Sequence, residues 1–400
     1  MYFKVTNEKE CHNGFQYQTG LNVLDKPFEA KGSCVPGGLY FTDLDNLDNF
    51  YDYGVWLRVV IIPEDAVMVE DPSGGKWRAD RIILGDKYPL FDGETIGKFN
   101  LKVDEKYIVC ASGGGHVDVL EWWLSSGLPL KYSSVFMDRA SAYGHVSVLE
   151  WWSKTQNESG LDLEYSFLAM DLASKNGHVS VLKWWKSSGL KLWYSYSAMD
   201  HASAYGHVNV LEWWKSSGLS LKYTYEAIDN ASENSHVSVL EWWKSSGLDL
   251  KYSSNAIDLA SKNSHLDVLE WWKSSGLDLK YTYETIDLAS KNSHMDVLEW
   301  WKSSGLDLKY SSNAMDLASK NGHVNVLEWW LSSGLLLEYS SNAMYLASSN
   351  GHVSVLEWWL RAYNESGLEL RYTNWAMKHA SWDGVDSVVS WWKSSGLRLM

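Results

Sequence analysis

Two tryptophans stand side by side ten times in this chain, at 122/123, 151/152, 184/185, 213/214, 242/243, 271/272, 300/301, 329/330, 358/359 and 391/392, so one recurring unit holds 20 of its 25 tryptophans. A histidine keeps step ahead of the pairs, at 116, 145, 178, 207, 236, 265, 294, 323 and 352. The step is 29 residues except for 33 between His145 and His178, and Val385 stands 33 beyond His352 where a tenth would fall. A unit this short cannot bury an apolar face alone, so a fixed period in this range requires a stack in which each repeat is covered by its neighbours. The stack begins near residue 101 and occupies 101–400.

The unit "SSNAMDLASKNGHVNVLEWWLSSGL", Ser311 to Leu335, shows how each repeat is built. Ala314, Met315, Leu317 and Ala318 form the apolar stripe of a short helix, which "NGH" interrupts. Val324, Val326, Leu327, Trp329 and Trp330 mark a second helix, and Gly334 suits the left-handed position that ends one. Asn313 with Asp316 three residues on reads as a capping box at the start of the first helix. The same Asp recurs at 138, 171, 200, 229, 258 and 287, and the reading is structural at each site rather than catalytic. Successive helical residues differ by about 100° in direction, so both tryptophans can face inward only if one meets the inner helix and the other the seam with the next repeat. The pair therefore reads as packing; an exposed aromatic ladder for sugars or lipid headgroups is the alternative.

The segment "NAMDLASKNGHVNVLEWWLSSGL" resembles an ankyrin repeat, whose pattern is TPLHLAAxxGHxxVVxxLLxxGA. Gly322 and His323 match its GH turn, Val326 and Leu327 its paired valines, Trp329 and Trp330 its paired leucines, and Gly334 its last glycine. The TPLH tetrapeptide has become Asn313, Ala314, Met315 and Asp316. Seven residues separate Gly334 from Asn342, about four fewer than a 33-residue period supplies, so a bare or very tight loop is expected in place of the family's β-hairpin finger. A leucine-rich repeat is the rival, on period and on the Leu-x-Leu of "GLDLKY", but Ser253 stands where its Asn or Cys ladder would pass. The histidines read as turn residues bonding backbone. Helices about 8–10 Å apart cannot easily bring equivalent side chains to one zinc at roughly 2.0–2.1 Å.

Two repeats carry four extra residues after the pair, "SKTQNESG" from Ser153 and "LRAYNESG" from Leu360. Four residues approximate one helical turn of about 3.6, so the outer helix can lengthen without rotating its apolar face. The last unit, "SWDGVDSVVSWW", loses the histidine and places Asp383, Asp386 and Ser387 near its turn, as a polar terminal cap would.

Upstream the texture changes. Leu39–Phe41, Val55–Ile62 and Arg81–Leu84 read as strands around an acidic segment with the makings of a short helix, which predicts a small α+β domain over 1–95. The fold class is mainly α: an ankyrin-like helix-turn-helix solenoid preceded by that domain. The segments "CHNGFQY", "CVPGGLYFTDL" and "KWRADRIIL" with the array behind them resemble the ankyrin-repeat proteins of mimivirus-like giant DNA viruses of amoebae. A net charge of −15 excludes a basic nucleic-acid footprint. Cys11, Cys34 and Cys110 show no CxxC spacing and fit a reducing compartment. The charged start "MYFKVTNEKECHNG" lacks the apolar core of a signal peptide, and no run nears 18 apolar residues. A soluble intracellular monomer is expected, in the host cytoplasm if viral, not secreted and without membrane or nucleic-acid contact.

No catalytic constellation, cofactor motif or metal spacing emerges: Cys11, His12 and Cys34 do not fit zinc, and "PSGGK" is not a phosphate-binding loop. The expected function is a non-enzymatic protein-interaction scaffold presenting a concave solenoid surface to host or viral proteins. The alternative is an N-terminal enzyme with the array recruiting substrate, and its mark would be a deep pocket in 1–95 lined by groups such as His12, Arg58 or Arg81. The partner-binding candidates come from comparing repeats. The middle units, about 252–330, keep Leu259, Leu288 and Leu317 after the Asp and Lys-Asn before the turn. Early units place Arg139, His201 and Asn230 at the leucine, Tyr143 and Tyr205 before the turn, and Phe167, Tyr196 and Tyr225 at the inner-helix start. Packing constrains all units alike, so these departures point to recognition, with drift after duplication of the middle units as the alternative.

Overall fold

A computed structural model describes residues 1–128, 133–159, 163–382 and 385–397. They fall into two compact units, residues 1–195 and 196–400.

The first unit opens with strands β1 (Tyr2–Thr6), β2 (Cys11–His12), β3 (Phe15–Gln16), β4 (Gly20–Val23), β5 (Leu39–Asp43), β6 (Trp56–Ile61), β7 (Met68–Glu70), β8 (Trp77–Ala79) and β9 (Arg81–Pro89). Seven make an antiparallel sheet in the order β4-β9-β6-β1-β5-β8-β7, and β2 pairs with β3. The β-branched and aromatic content of "WLRVVI" and "RIIL" suits a pleated surface. Strand β1 holds the centre, with Tyr2–Thr6 running against Val60–Trp56 and Tyr2 and Phe3 facing Asp43 and Thr42. Side chains alternate along it. Tyr2 packs against a core of Tyr17, Leu39, Phe41, Val60, Ala79, Ile82 and Leu84, while the Phe3 ring lies 5.4 Å from Phe99 of α1 (Gly93–Phe99). The acidic segment becomes a 3-10 helix, Leu47–Tyr53, as part of the expected α+β fold.

Helix pairs follow directly. In the first unit they are α2 (Glu105–Gly113) with α3 (Val117–Ser125), α4 (Val135–Ala142) with α5 (Val146–Ser159), and α6 (Leu168–Lys175) with α7 (Val179–Ser187). The Tyr107 hydroxyl of α2 donates to the Leu90 carbonyl at 2.7 Å, and the Tyr51 hydroxyl donates to that of Lys102, so the sheet seats on the first pair. The second unit contains α8 (Ser197–Ala204) with α9 (Val208–Ser216), α10 (Glu226–Glu233) with α11 (Val237–Ser245), α12 (Asn255–Lys262) with α13 (Leu266–Ser274), and α14 (Glu284–Lys291) with α15 (Met295–Ser303). It ends with α16 (Asn313–Lys320) and α17 (Val324–Ser332), α18 (Asn342–Ser349) and α19 (Val353–Ser366), and α20 (Trp375–Trp382) and α21 (Asp386–Ser394).

The second tryptophan of a pair is driven into the inner helices. Trp301 is buried, and its indole donates to Ser261 Oγ of the preceding repeat at 3.1 Å; Trp272, Trp330 and Trp359 repeat this on Ser232, Ser290 and Ser319. The first tryptophan stands edge-on to the second, 5.1 Å away in Trp300–Trp301, and its indole reaches Glu270 of the preceding outer helix. The seam it fills is therefore the one with the preceding repeat, not the next. A buried aromatic covers about 150–250 Å², which makes the pair the main apolar cement of each joint.

The aspartates correct the capping-box reading. Asp258 does not cap its own helix: its carboxylate accepts from the Thr282 amide (2.9 Å) and hydroxyl (2.8 Å) at the start of the following repeat. The Thr282 oxygen in turn accepts from the Glu284 amide at 3.1 Å. The Ser or Thr is thus the cap, and the buried Asp holds it from one repeat away. Six other aspartates, 138, 171, 200, 229, 287 and 316, do the same for Ser166, Ser195, Thr224, Ser253, Ser311 and Ser340. Where the ladder would continue, α18 has Tyr345 instead.

The histidines of the later repeats bond backbone, as the His294 ring meets the Lys262 carbonyl of the preceding inner helix at 2.8 Å, whereas Nε2 of His116 is buried without a partner. Gly334 is left-handed, φ 77°. The link before α14 carries no strand; the Tyr252 hydroxyl donates to Asp278 O at 2.9 Å, and Lys280 returns a bond to Tyr252 O and covers its ring at 4.4 Å. The four-residue insertions lengthen α5 and α19 to 14 residues, against 9 in α17, and Gly367 closes α19 in the left-handed region. In the last repeat Val385 takes the histidine's place ahead of α21, with φ −90° and ψ 74° against −87° and 74° at His352. Asp383 lies outside the described residues. The surface of α20 is more aromatic than a polar cap would be, since Trp375 and Trp382 are exposed around His379.

Candidate functional site

In each unit the candidate residues fall at three recurring positions of the inner helices: the start, the residue after the aspartate and the residue before the turn. In the first unit, Phe167 stands exposed at the start of α6, Arg139 sits half-buried on α4, and Tyr143 is exposed just beyond it. Arg139 Nη1 donates to the Tyr143 hydroxyl at 3.1 Å and the guanidinium lies 5.7 Å from the ring centre. In the second unit, Tyr196 and Tyr205 flank α8 and are exposed, His201 is half-buried between them, and Tyr225 and Asn230 take the matching places on α10. His201 Nδ1 is buried without a hydrogen-bond partner. Tyr283, equally exposed at the start of α14, extends the tyrosine row into the middle units, where the comparison of repeats had placed none.

Tyrosine before the turn stands where six other repeats carry asparagine. In four of these the asparagine amide donates to the preceding inner helix, Asn176 to Ala142 O (2.6 Å), Asn263 to Glu233 O (3.0 Å), Asn292 to Lys262 O (2.9 Å) and Asn321 to Lys291 O (2.8 Å), whereas Asn234 and Asn350 donate within their own helices, to Asn230 O and Leu346 O. Tyr143 and Tyr205 place a phenol ring at this position instead of an amide.

The sheet contains a cavity of about 370 Å³, lined by His12 together with Lys4, Lys26, Cys34, Lys76 and a set of aromatic side chains. Arg58 and Arg81 lie elsewhere: Arg58 pairs with Glu10 and Arg81 with Asp65 and Asp80. Burial pushes the Lys4 ammonium down to about 7, and burial followed by the neighbouring Lys4 charge lowers His12. Cys34 is lowered by its bond from Lys76, 2.9 Å away, and by Ser33.

No protein-family model matches the chain. Two ankyrin repeat proteins of Acanthamoeba polyphaga mimivirus are similar to it, one 47% identical over 100 residues and the other 46% identical over 109. Each match covers 24% of this chain, and 50% and 36% of the respective relatives. A third relative, an uncharacterized protein of the same virus, is 34% identical over 136 residues, covering 30% of this chain and 94% of its own length. The chain is an ankyrin-repeat protein of the mimivirus type. It spans half the length of the first relative and about a third of the second.

Within this ankyrin-type array the Asp-to-Ser/Thr joint stands where the family's TPLH tetrapeptide would, and it ties adjacent repeats. The turn glycine is constrained from outside as well as by φ: at Gly322 a Cβ would come within 2.9 Å of the His352 ring. Three ankyrin turns nevertheless carry serine in the left-handed region, Ser235, Ser264 and Ser293, and each hydroxyl bonds Asp267, Asp296 or Asn325 of the next repeat. Among the described residues no helix is long and apolar enough to cross a membrane.

Proposed function

We propose that the protein is a non-enzymatic interaction scaffold in which the inner-helix face of the array holds a protein partner, as a viral protein engaging host or viral proteins. In this reading residues 1–95 are an appended α+β domain and residues 101–400 the scaffold, working as a monomer in the host cytoplasm. The observation that carries it is local. The packing positions hardly vary from repeat to repeat, while Tyr143, Tyr196, Tyr205 and Tyr225 expose large side chains and Arg139 stands half-buried beside Tyr143; two of the tyrosines stand where six other repeats carry asparagine. Tyrosine and arginine are the side chains enriched among binding hot spots.

The test is to replace Arg139, Tyr143, Tyr205 and Tyr225 in the full chain by Leu, Asn, Asn and Ser, as Leu259, Asn263 and Ser254 stand at the matching positions of one middle repeat. The affinity for the protein captured from amoebal lysate by wild type is then measured. A loss equivalent to about 2 kcal/mol, roughly 30-fold, is expected. Unchanged affinity in the folded variant overturns the assignment of these residues.

A further inference from the structure

Three cations are almost wholly buried in the sheet region, and two have a carboxylate: Arg58 bonds Glu10 at 2.9 Å and Arg78 bonds Asp71 at 2.8 Å. The third, Lys4, has none among the described residues. It is 4% exposed, sits on the central strand β1, donates to Tyr40 O at 2.7 Å and lies 4.2 Å from the centre of the Tyr17 ring. An ammonium has three N–H donors, and these two contacts leave one for another acceptor. A buried charge without its counter-ion is costly, and proteins pair or neutralise such groups.

Lys4 also lines the cavity of about 370 Å³, whose size is that of a small-molecule site. The other ionisable groups in its wall include Lys26, Lys76 and His12, and no Asp or Glu contributes, although residues 1–100 hold 16 acidic and 10 basic side chains. The charges are graded by depth, with Lys4 buried, Lys76 half-buried and Lys26 exposed. Phe15, Tyr17, Leu39, Tyr40, Phe41 and Phe50 supply an apolar interior around them.

We propose that this cavity binds a small organic monoanion with an apolar body, an aryl or acyl carboxylate, whose anionic group pairs with Lys4 while its body lies among the aromatic side chains. Lys26 and Lys76 draw the anion in from solvent. The missing counter-ion of Lys4 is then supplied by the ligand, and the site is independent of the array surface.

The probes are anilinonaphthalene sulfonate, an apolar anion, and phenylnaphthylamine, its uncharged counterpart, titrated by fluorescence against the full chain. One sulfonate probe per chain is expected at the site. Lys4→Met should weaken the sulfonate by about tenfold or more, as loss of a buried charge pair does, and leave the uncharged probe within about twofold. Displacement by decanoate or by naphthoate then tells an acyl from an aryl preference. Should Lys4→Met fail to fold, charge reversal at the mouth, Lys26→Glu with Lys76→Glu, decides: it should weaken the sulfonate several-fold and spare the neutral probe. Absence of stoichiometric sulfonate binding to wild type overturns the proposal. So does equal behaviour of the two probes across the folded variants.

Discussion

In the sheet, the buried Asp71 carboxylate takes five donors that recur nowhere else: Ser33 Oγ, the Cys34 amide, the Ser73 amide and hydroxyl, and Arg78. In the array, Asp258 has the same kind of cap partner as Asp229 and Asp287 on either side of it. The first arrangement concentrates polar satisfaction at one point, and losing it strands a buried guanidinium. The second divides it among many equivalent joints, each modest and each local. Loss of Asp71 therefore removes five bonds at once, whereas loss of one array aspartate removes the bonds of a single joint.

The largest expected effect tests the concentrated side. Although burial opposes ionisation, the bonds from Ser73, the Cys34 amide and Ser33 hold Asp71 well below the usual carboxylate range. Asp71→Ala should cost about 3–5 kcal/mol, as expected when one partner of a buried pair is removed, read as faster hydrogen exchange of the β8 and β5 amides. Next, Trp301→Phe should cost about 1–3 kcal/mol by leaving Ser261 Oγ buried without its donor, with exchange rising only in the repeats of α12 to α15. If that loss equalled the Asp71 loss or spread to α18 and α19, the contrast would fail.

A smaller effect separates the aspartate column from the histidines. Burial raises Asp287 to about 6, against the bonds from Ser311 that lower it. A raised carboxyl gives stability that is complete below its unfolded value of about 3.8 and is lost as pH rises through about 6. His236 and His323 run the other way: burial lowers them, so their contribution is present above about 6.5 and is lost on acidification. Asp287→Asn keeps an amide close to the protonated shape. Relative to wild type it should gain on the order of 1–2 kcal/mol between pH 4 and pH 8, measured by urea unfolding at both. A constant difference would show that the carboxyl is ionised throughout. Last, Tyr143→Asn should add an inter-repeat bond and slow exchange at the end of α4 by about 0.5–1.5 kcal/mol, while weakening partner capture. A loss of stability there would mean that the Arg139–Tyr143 contact holds the turn better than the asparagine bond does.

Much of the array was legible because period, apolar stripe and glycine position all specify the same helix pair. The direction of its bonds was not, since Asp258 and Thr282 are 24 residues apart and nothing local distinguishes a carboxylate that caps its own helix from one that caps its neighbour's. The sheet was legible where strands are rich in β-branched residues, as in β6. Strand β1 went unread because "YFKVT" puts a lysine on a core-facing position, and a charge there argues for surface. The cavity was hidden because its wall gathers Lys4, His12, Cys34 and Lys76 from positions with 71 residues between the first and the last. Of the residues named for an N-terminal pocket, only His12 reaches it, because Arg58 and Arg81 are held by acids.

The backward reach of the tryptophan and histidine bonds gives the 29-residue unit a head and a tail. Trp301 looks to Ser261, Trp330 to Ser290, and at seven joints the cap serine or threonine finds the aspartate of the repeat before it. A copy inserted in register meets complementary groups at both new junctions, and a copy excised in register leaves a junction as complete as those it removed. Gene-level slippage between near-identical coding segments, such as those for residues 255–274 and 284–303, would thus alter the length of the array without creating a mismatched boundary. Lineages could lengthen or trim the reading surface in whole steps, and selection would act on what the added step displays.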